Sequence, residues 1–120
     1  MTVRRIVANV ATSDPQEAQA FYGDLLGLEI VMDHGWIVTF AGDEAATRPQ
    51  LSFASEGGSG TPVPDLSIEV DDVDAVYARA QSAGFEITYP ITDEPWGVRR
   101  FFVRDPFGRL VNILAHGGRA

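Results

Sequence analysis

Two stretches of this chain repeat their apolar positions every three to four residues, and between them lie short runs in which apolar and polar residues alternate. The first helical stretch follows Asp14-Pro15. Ala18, Phe21, Tyr22, Leu25 and Leu26 share one face, and Gly27 supplies the stop. Asp14 is the expected N-cap, and Glu17, three residues on, completes a capping box. The second helix starts at the cap Asp72, shows Val73, Val76, Tyr77 and Ala80 as its stripe, and stops at Gly84. A strand is expected before each helix, at 6–11 and 65–70. Three more follow each one: 29–32, 36–41 and 50–54, then 86–89, 99–103 and 110–115. Turn-forming segments separate them ("DHG", "GDEAATRP", "DEPWG" and "DPFG"), with Gly108 expected at positive φ.

The order β-α-β-β-β thus occurs twice, and the two halves also resemble each other in sequence. "IVANVATSDPQEAQAFYGDLLGLEI" and "DLSIEVDDVDAVYARAQSAGFEI" align with Asp14 on Asp72 and Gly27-Leu28-Glu29-Ile30 on Gly84-Phe85-Glu86-Ile87. The expected fold is α+β: one domain over 1–120, built of two βαβββ modules that form curled sheets around a cleft. Module one covers about 1–55, a Gly/Ser/Pro-rich linker 56–64, and module two about 65–120. A single helix covers only one face of a four-stranded sheet, so each module leaves a second face for other use.

Period-two alternation sorts the strands between those faces. Ile6, Ala8 and Val10, Leu51 and Phe53, Leu66, Ile68 and Val70, and Val111 and Ile113 form the apolar sets expected under the helices. The opposite set gathers Asn9, Gln50, Ser52, Asp65, Ser67, Glu69 and Asn112, together with Val7 and Leu114. Asn112 stands out because "RDPFGRLVNIL" is otherwise an apolar strand after a turn, and an amide there needs hydrogen-bond partners.

Composition narrows the chemistry. The 120 residues contain no cysteine, which excludes disulfides, thiolate metal sites and a cysteine nucleophile. A net charge of −8 argues against nucleic acid and favours a cation as ligand. No run reaches the roughly 20 apolar residues needed to span a bilayer, and the start reads directly into a strand without a secretory pattern. No membrane association and a cytoplasmic location are therefore expected. "GGSG" does not open a helix after a strand, so it is no dinucleotide fingerprint.

"AFYGDLLGLEI", "LSIEVDDVDAVYARAQSAG", "EPWGVRRF" and "FFVRDPFGRLVNIL" together resemble the vicinal oxygen chelate superfamily of glyoxalase I, extradiol dioxygenases and the fosfomycin- and bleomycin-resistance proteins. The resemblance implies paired βαβββ modules, often completed as a homodimer. In catalytic members it also implies a divalent metal held by the first and last strand of each module. Carried over by motif, those places are Val7 (or Ala8), Gln50, Asp65 and Asn112. That set contains one carboxylate, two amides and an alkyl group, too few anionic or imidazole donors for zinc, nickel or iron. His34 and His116 match no such place. The resemblance is therefore closest to the metal-free, bleomycin-resistance-like branch, whose members sequester a bulky cation.

The leading expectation is a small-molecule-binding protein with no metal and no cofactor. Its cleft would be lined by Asn9, Trp36, Gln50, Ser52, Asp65, Ser67, Glu69, Trp96, Arg99 and Asn112. Alternation allows only one of Arg99 and Arg100 to face it. Two alternatives stay open: a metal-dependent lyase or dioxygenase whose ligands include Asp65, and a metal-free isomerase or lyase with Asp65 or Glu69 as base.

Overall fold

The computed structural model describes residues 2–43 and 49–117. Residues 44–48, within the turn expected at "GDEAATRP", lie outside the described residues. The chain divides into two units, one of Val7–Val63 and one of Pro64 onward together with the chain start up to Ile6.

In the first unit, module one, β1 (Val3–Ala11, entering at Val7) is followed by a 3₁₀ turn (Pro15–Glu17), a π-helical segment (Gln19–Leu25), β2 (Glu29–Asp33), β3 (Ile37–Ala41) and β4 (Gln50–Ala54). The strand order is β2-β3-β4-β1, with β1 and β4 parallel. Module two contains β5 (Leu66–Val70), α1 (Val73–Ala83), β6 (Ile87–Asp93), β7 (Val98–Arg104) and β8 (Leu110–His116). Its order is β5-β8-β7-β6, with β5 and β8 parallel. Each module is therefore β-helix-β-β-β, closed by pairing its first strand with its last.

Module two forms as the periodicity predicts. Asp72 caps α1 by accepting the Ala75 N–H, and Gly84 ends it in the left-handed conformation at φ 79°. Val73 and Ala80 of α1 pack on Val70, Phe101, Val111 and Ile113, all buried. In module one the core is Val38, Phe40 and Phe53, covered by Ala18, Tyr22, Leu28 and Leu51, with the Tyr22 ring 4.7 Å from Phe53.

Three expectations are corrected. The first helix is not α: its backbone winds more widely, with the Leu26 N–H reaching Phe21 O. Gly23 weakens the intrinsic helical preference of so short a segment, and a Cβ there would strike the Gln19 side chain. Tyr22 still lies on the sheet, but Phe21, Leu25 and Leu26 turn outward and are more than half exposed. The capping box is also absent. Asp14 accepts from Gln16 N–H, while its own N–H goes to Thr12 Oγ1 instead of Glu17. Finally, Val10 shares the helix-side parity of Phe53 yet is exposed, because the helical segment packs over β3 and β4, and Ile6, also expected under a helix, is exposed.

The expected linker is a folded loop. Gly57 and Gly58 are buried, Gly57 N–H donates to Thr61 O at 2.8 Å, and Thr61 Oγ1 donates to Gly58 O at 2.7 Å. A Cβ on Gly57 would fall 2.1 Å from the Pro62 carbonyl oxygen, a backbone atom that cannot swing aside. Gly57→Ala is expected to cost about 1–3 kcal/mol through overpacking. The readout is a lower urea midpoint with an unchanged slope.

Candidate functional site

In module two the helix-free face is organised around Asn112. Strand register places Ser67 of β5 on one side of it and Phe102 of β7 on the other, with Tyr89 of β6 beyond Phe102. Asn112 is 7% exposed. Its Nδ2 donates to Ser67 Oγ at 3.1 Å, but its Oδ1 is buried and accepts no hydrogen bond. Leu110 and Leu114, on the same parity, are buried too. The amide oxygen thus stands in a sealed and largely apolar setting.

The next row of this face belongs to Arg100. Its Nε donates to Glu94 Oε2 at 2.7 Å, and both side chains are only 3% exposed. Tyr89 OH donates to the same Glu94 oxygen at 2.8 Å. The guanidinium lies 4.8 Å from the centre of the Phe102 ring, 5.0 Å from that of Trp96 and 5.3 Å from that of Tyr89. Three aromatic faces and a carboxylate around a cation form an aromatic cage, and the occupant here is the protein's own arginine.

The expectation that Arg99 lines this face is corrected. Arg99 has the parity of the core residue Phe101 and turns to the helix side, where it pairs with Asp74 of α1 at 2.9 Å and with Asp93 at 3.0 Å. The Asp74 carboxylate raises its pKa above the ordinary arginine value. Sequence reasoning missed the group of Glu94, Tyr89, Arg100 and Phe102, although alternation had allowed Arg100 as the other choice.

The acidic candidates are in place but engaged. Asp65 lies just outside β5 and accepts the Leu110 N–H at 2.9 Å, bracing the start of β8. Glu69 accepts contacts from Arg5 Nε at 3.0 Å and from His116 Nδ1 at 2.8 Å. An acceptor-only carboxylate at Nδ1 keeps the proton there and leaves Nε2 as the basic nitrogen in neutral imidazole. Beside this pair, a groove of about 550 Å³ runs past Arg4, Asp71, the start of α1 and Arg99. The Thr2 N–H that donates to Asp71 holds that carboxyl below its ordinary pKa.

The helix-free face of module one carries the row Asn9–Ser52–Thr39. Thr39 Oγ1 and Ser52 Oγ are buried and 2.7 Å apart. Gln50 is half-buried opposite Ala41. Register also shifts one family position. Asn9 pairs with Ser52 just as Ser67 pairs with Asn112, so Ser52, not Gln50, is the counterpart of Asn112. Trp36 stands apart from this row: it stacks near His34, 6.1 Å between ring centres, and its carbonyl accepts Ser55 N–H.

These donors do not suit a transition metal. The strand positions that would hold one supply an alkyl side chain, a hydroxyl, a carboxylate already bound to a backbone amide, and a neutral amide oxygen. No cluster of three or more His, Cys, Asp or Glu side chains placed to hold a metal occurs among the described residues.

The chain belongs to the glyoxalase/bleomycin resistance protein/dioxygenase superfamily, whose family model matches residues 4–113. A glyoxalase/bleomycin resistance/dioxygenase superfamily member from Vibrio splendidus superposes with a TM-score of 0.65 at 19% identity, covering 96% of this chain and 99% of that one. Methylmalonyl-CoA epimerase from Mycobacterium tuberculosis superposes at 0.64 and 21% identity, covering 95% and 87%. NAD-dependent benzaldehyde dehydrogenase from Legionella pneumophila reaches 0.74 at 18% identity, covering 93% and 99%. At such identities the likeness is one of fold. An uncharacterized protein of Mycobacterium bovis is 45% identical over 49 residues, which are 41% of this chain and 32% of that protein. The matched segment spans about a third of that relative's length. No helix among the described residues is long and apolar enough to cross a membrane.

Proposed function

We propose that this superfamily member binds a small organic molecule on the helix-free face of module two and does so without a transition metal. One observation carries the reading: Asn112 Oδ1 is buried and unpaired. Leaving such an acceptor without a partner costs about 1–3 kcal/mol, and a leucine of similar size would remove that cost. Sequences tend to depart from this rule where function requires it. A guest that donates a hydrogen to Oδ1 supplies the missing bond, between Ser67 and Phe102 on the neighbouring strands. The donor chemistry of the face, amide and hydroxyl rather than imidazole and free carboxylate, supports recognition by hydrogen bonds.

The test pairs composition with stability. Native mass spectrometry of the purified protein is expected to show an organic adduct, and elemental analysis less than stoichiometric transition metal. Equimolar zinc, nickel, manganese or iron would overturn the reading. Asn112→Leu is expected to leave the fold as stable or up to about 1 kcal/mol more stable, measured by chemical denaturation, while abolishing the adduct.

A further inference from the structure

The net charge of −8 suggests a cationic guest. The arrangement of charges on the helix-free face of module two points elsewhere. We infer that the guest is an uncharged hydrogen-bond donor, an aromatic alcohol, phenol or amide, and that the face discriminates against cations. This rests on the binding reading above and names the ligand class for the same site.

Three acidic side chains were the natural counter-ions for a cation there, and each already holds a partner. Glu94 is closed off by Arg100 Nε and Tyr89 OH. Glu69 is shared between Arg5 and His116. Asp65 is tied to the Leu110 amide. The aromatic surfaces that would stabilise an ammonium group are engaged as well, since Tyr89, Trp96 and Phe102 all lie against the Arg100 guanidinium. A second cation would have to enter beside this buried positive charge and lose its hydration there, where the nearest carboxylate, Glu94, is already bound to Arg100 and Tyr89. What the face still offers is Asn112 Oδ1, an acceptor with no formal charge. A neutral O–H or N–H meets its requirement without leaving an unpaired ion. Because Asn112 is only 7% exposed, the bond forms in a low-dielectric setting where it counts for more. Ser67, half-buried on the flank of Asn112, marks the side of approach.

Three probes of similar shape separate the possibilities: benzyl alcohol, benzylammonium and toluene. Binding is followed by NMR through the backbone amide resonances of Ser67 and Phe102, which flank position 112, in high salt to screen the long-range attraction of an acidic protein for any cation. Benzyl alcohol is expected to bind about tenfold tighter than either competitor, the worth of one good hydrogen bond. Asn112→Leu should reduce its affinity to that of toluene. Tighter binding of benzylammonium than of benzyl alcohol would overturn the inference while leaving the binding reading intact. Equal affinity of benzyl alcohol and toluene in the wild type would also overturn it. Failure of all three to bind would remove both the inference and the binding reading.

Discussion

Glu94→Ala is expected to destabilise the protein by about 3–5 kcal/mol, because it strands a buried guanidinium without its counter-ion. Arg100 and Glu94 are each 3% exposed at the side chain, so water cannot take the place of the lost carboxylate. Tyr89 OH loses its acceptor in the same step. Typical domains are stable by only about 5–15 kcal/mol, so a loss of this size is a large share of the total. The double replacement Arg100→Met, Glu94→Leu separates the value of the pair from the cost of breaking it. Removing both charges removes both desolvation penalties, and the double variant is expected near wild-type stability, within about 1–2 kcal/mol. Urea denaturation of the two variants checks this. A double variant as unstable as Glu94→Ala would mean that the pair itself, with its aromatic cage, makes a large net contribution. The same variant bears on recognition: with Arg100 gone, Tyr89, Trp96 and Phe102 lose their internal cation, and discrimination against benzylammonium should fall.

Much of the fold could be read from the sequence because its signals are local. Caps, glycine stops and alternation lie within a few residues of what they determine, and Asp72, Gly84 and Gly108 all behave as their neighbours predict. Parity on β5 and β8 correctly separated Ile68 and Ile113 from Ser67 and Asn112. The misreadings came from effects that alternation does not encode. Val10 has the right parity for a core, but coverage depends on where the helical segment lands, and it lands on Phe40 and Phe53. The loop at 55–64 reads as flexible by composition, yet its glycines serve close backbone approach. Arg99 and Arg100 were indistinguishable by charge. Hairpin arithmetic could have decided between them: a turn at Asp105–Gly108 with Gly108 as a left-handed bulge pairs Asp105 with Arg109, hence Val103 with Val111 and Phe102 with Asn112, which puts Arg100 and Phe102 on the amide's face. The parallel pairing of Asn9 with Ser52, which makes Ser52 and not Gln50 the counterpart of Asn112, has no turn from which to count it. The cage itself depends on Glu94 folding back from the β6–β7 turn to reach Arg100, a contact no spacing rule anticipates.

On the other side of the same strand, Phe101→Ala is expected to cost about 3–5 kcal/mol, the usual price of emptying a fully buried aromatic site. Phe101 has no exposed surface. It meets the Tyr77 ring of α1 edge-on at 4.9 Å and touches the cluster of Val70, Val73, Ala80, Val111 and Ile113. Both α1 and the neighbouring strands would have to move to fill the gap, and close-packed interiors relax only in part. The effect is also expected to cross the sheet. Phe101 alternates with Arg100 and Phe102 along β7, so the backbone that seats it on the helix holds the other two against Glu94 and Asn112. A cavity beneath Phe101 lowers the free energy of opening β7 from β6 and β8. Hydrogen exchange checks this directly. The amides of β7 and β8 should exchange faster by the factor matching the lost stability, about 10²–10⁴, if they open with global unfolding. Unchanged protection in β7 and β8 alongside a lower denaturation midpoint would show that the two faces of the strand are not energetically coupled. In that case the packing under α1 would not be what holds the ligand face in shape.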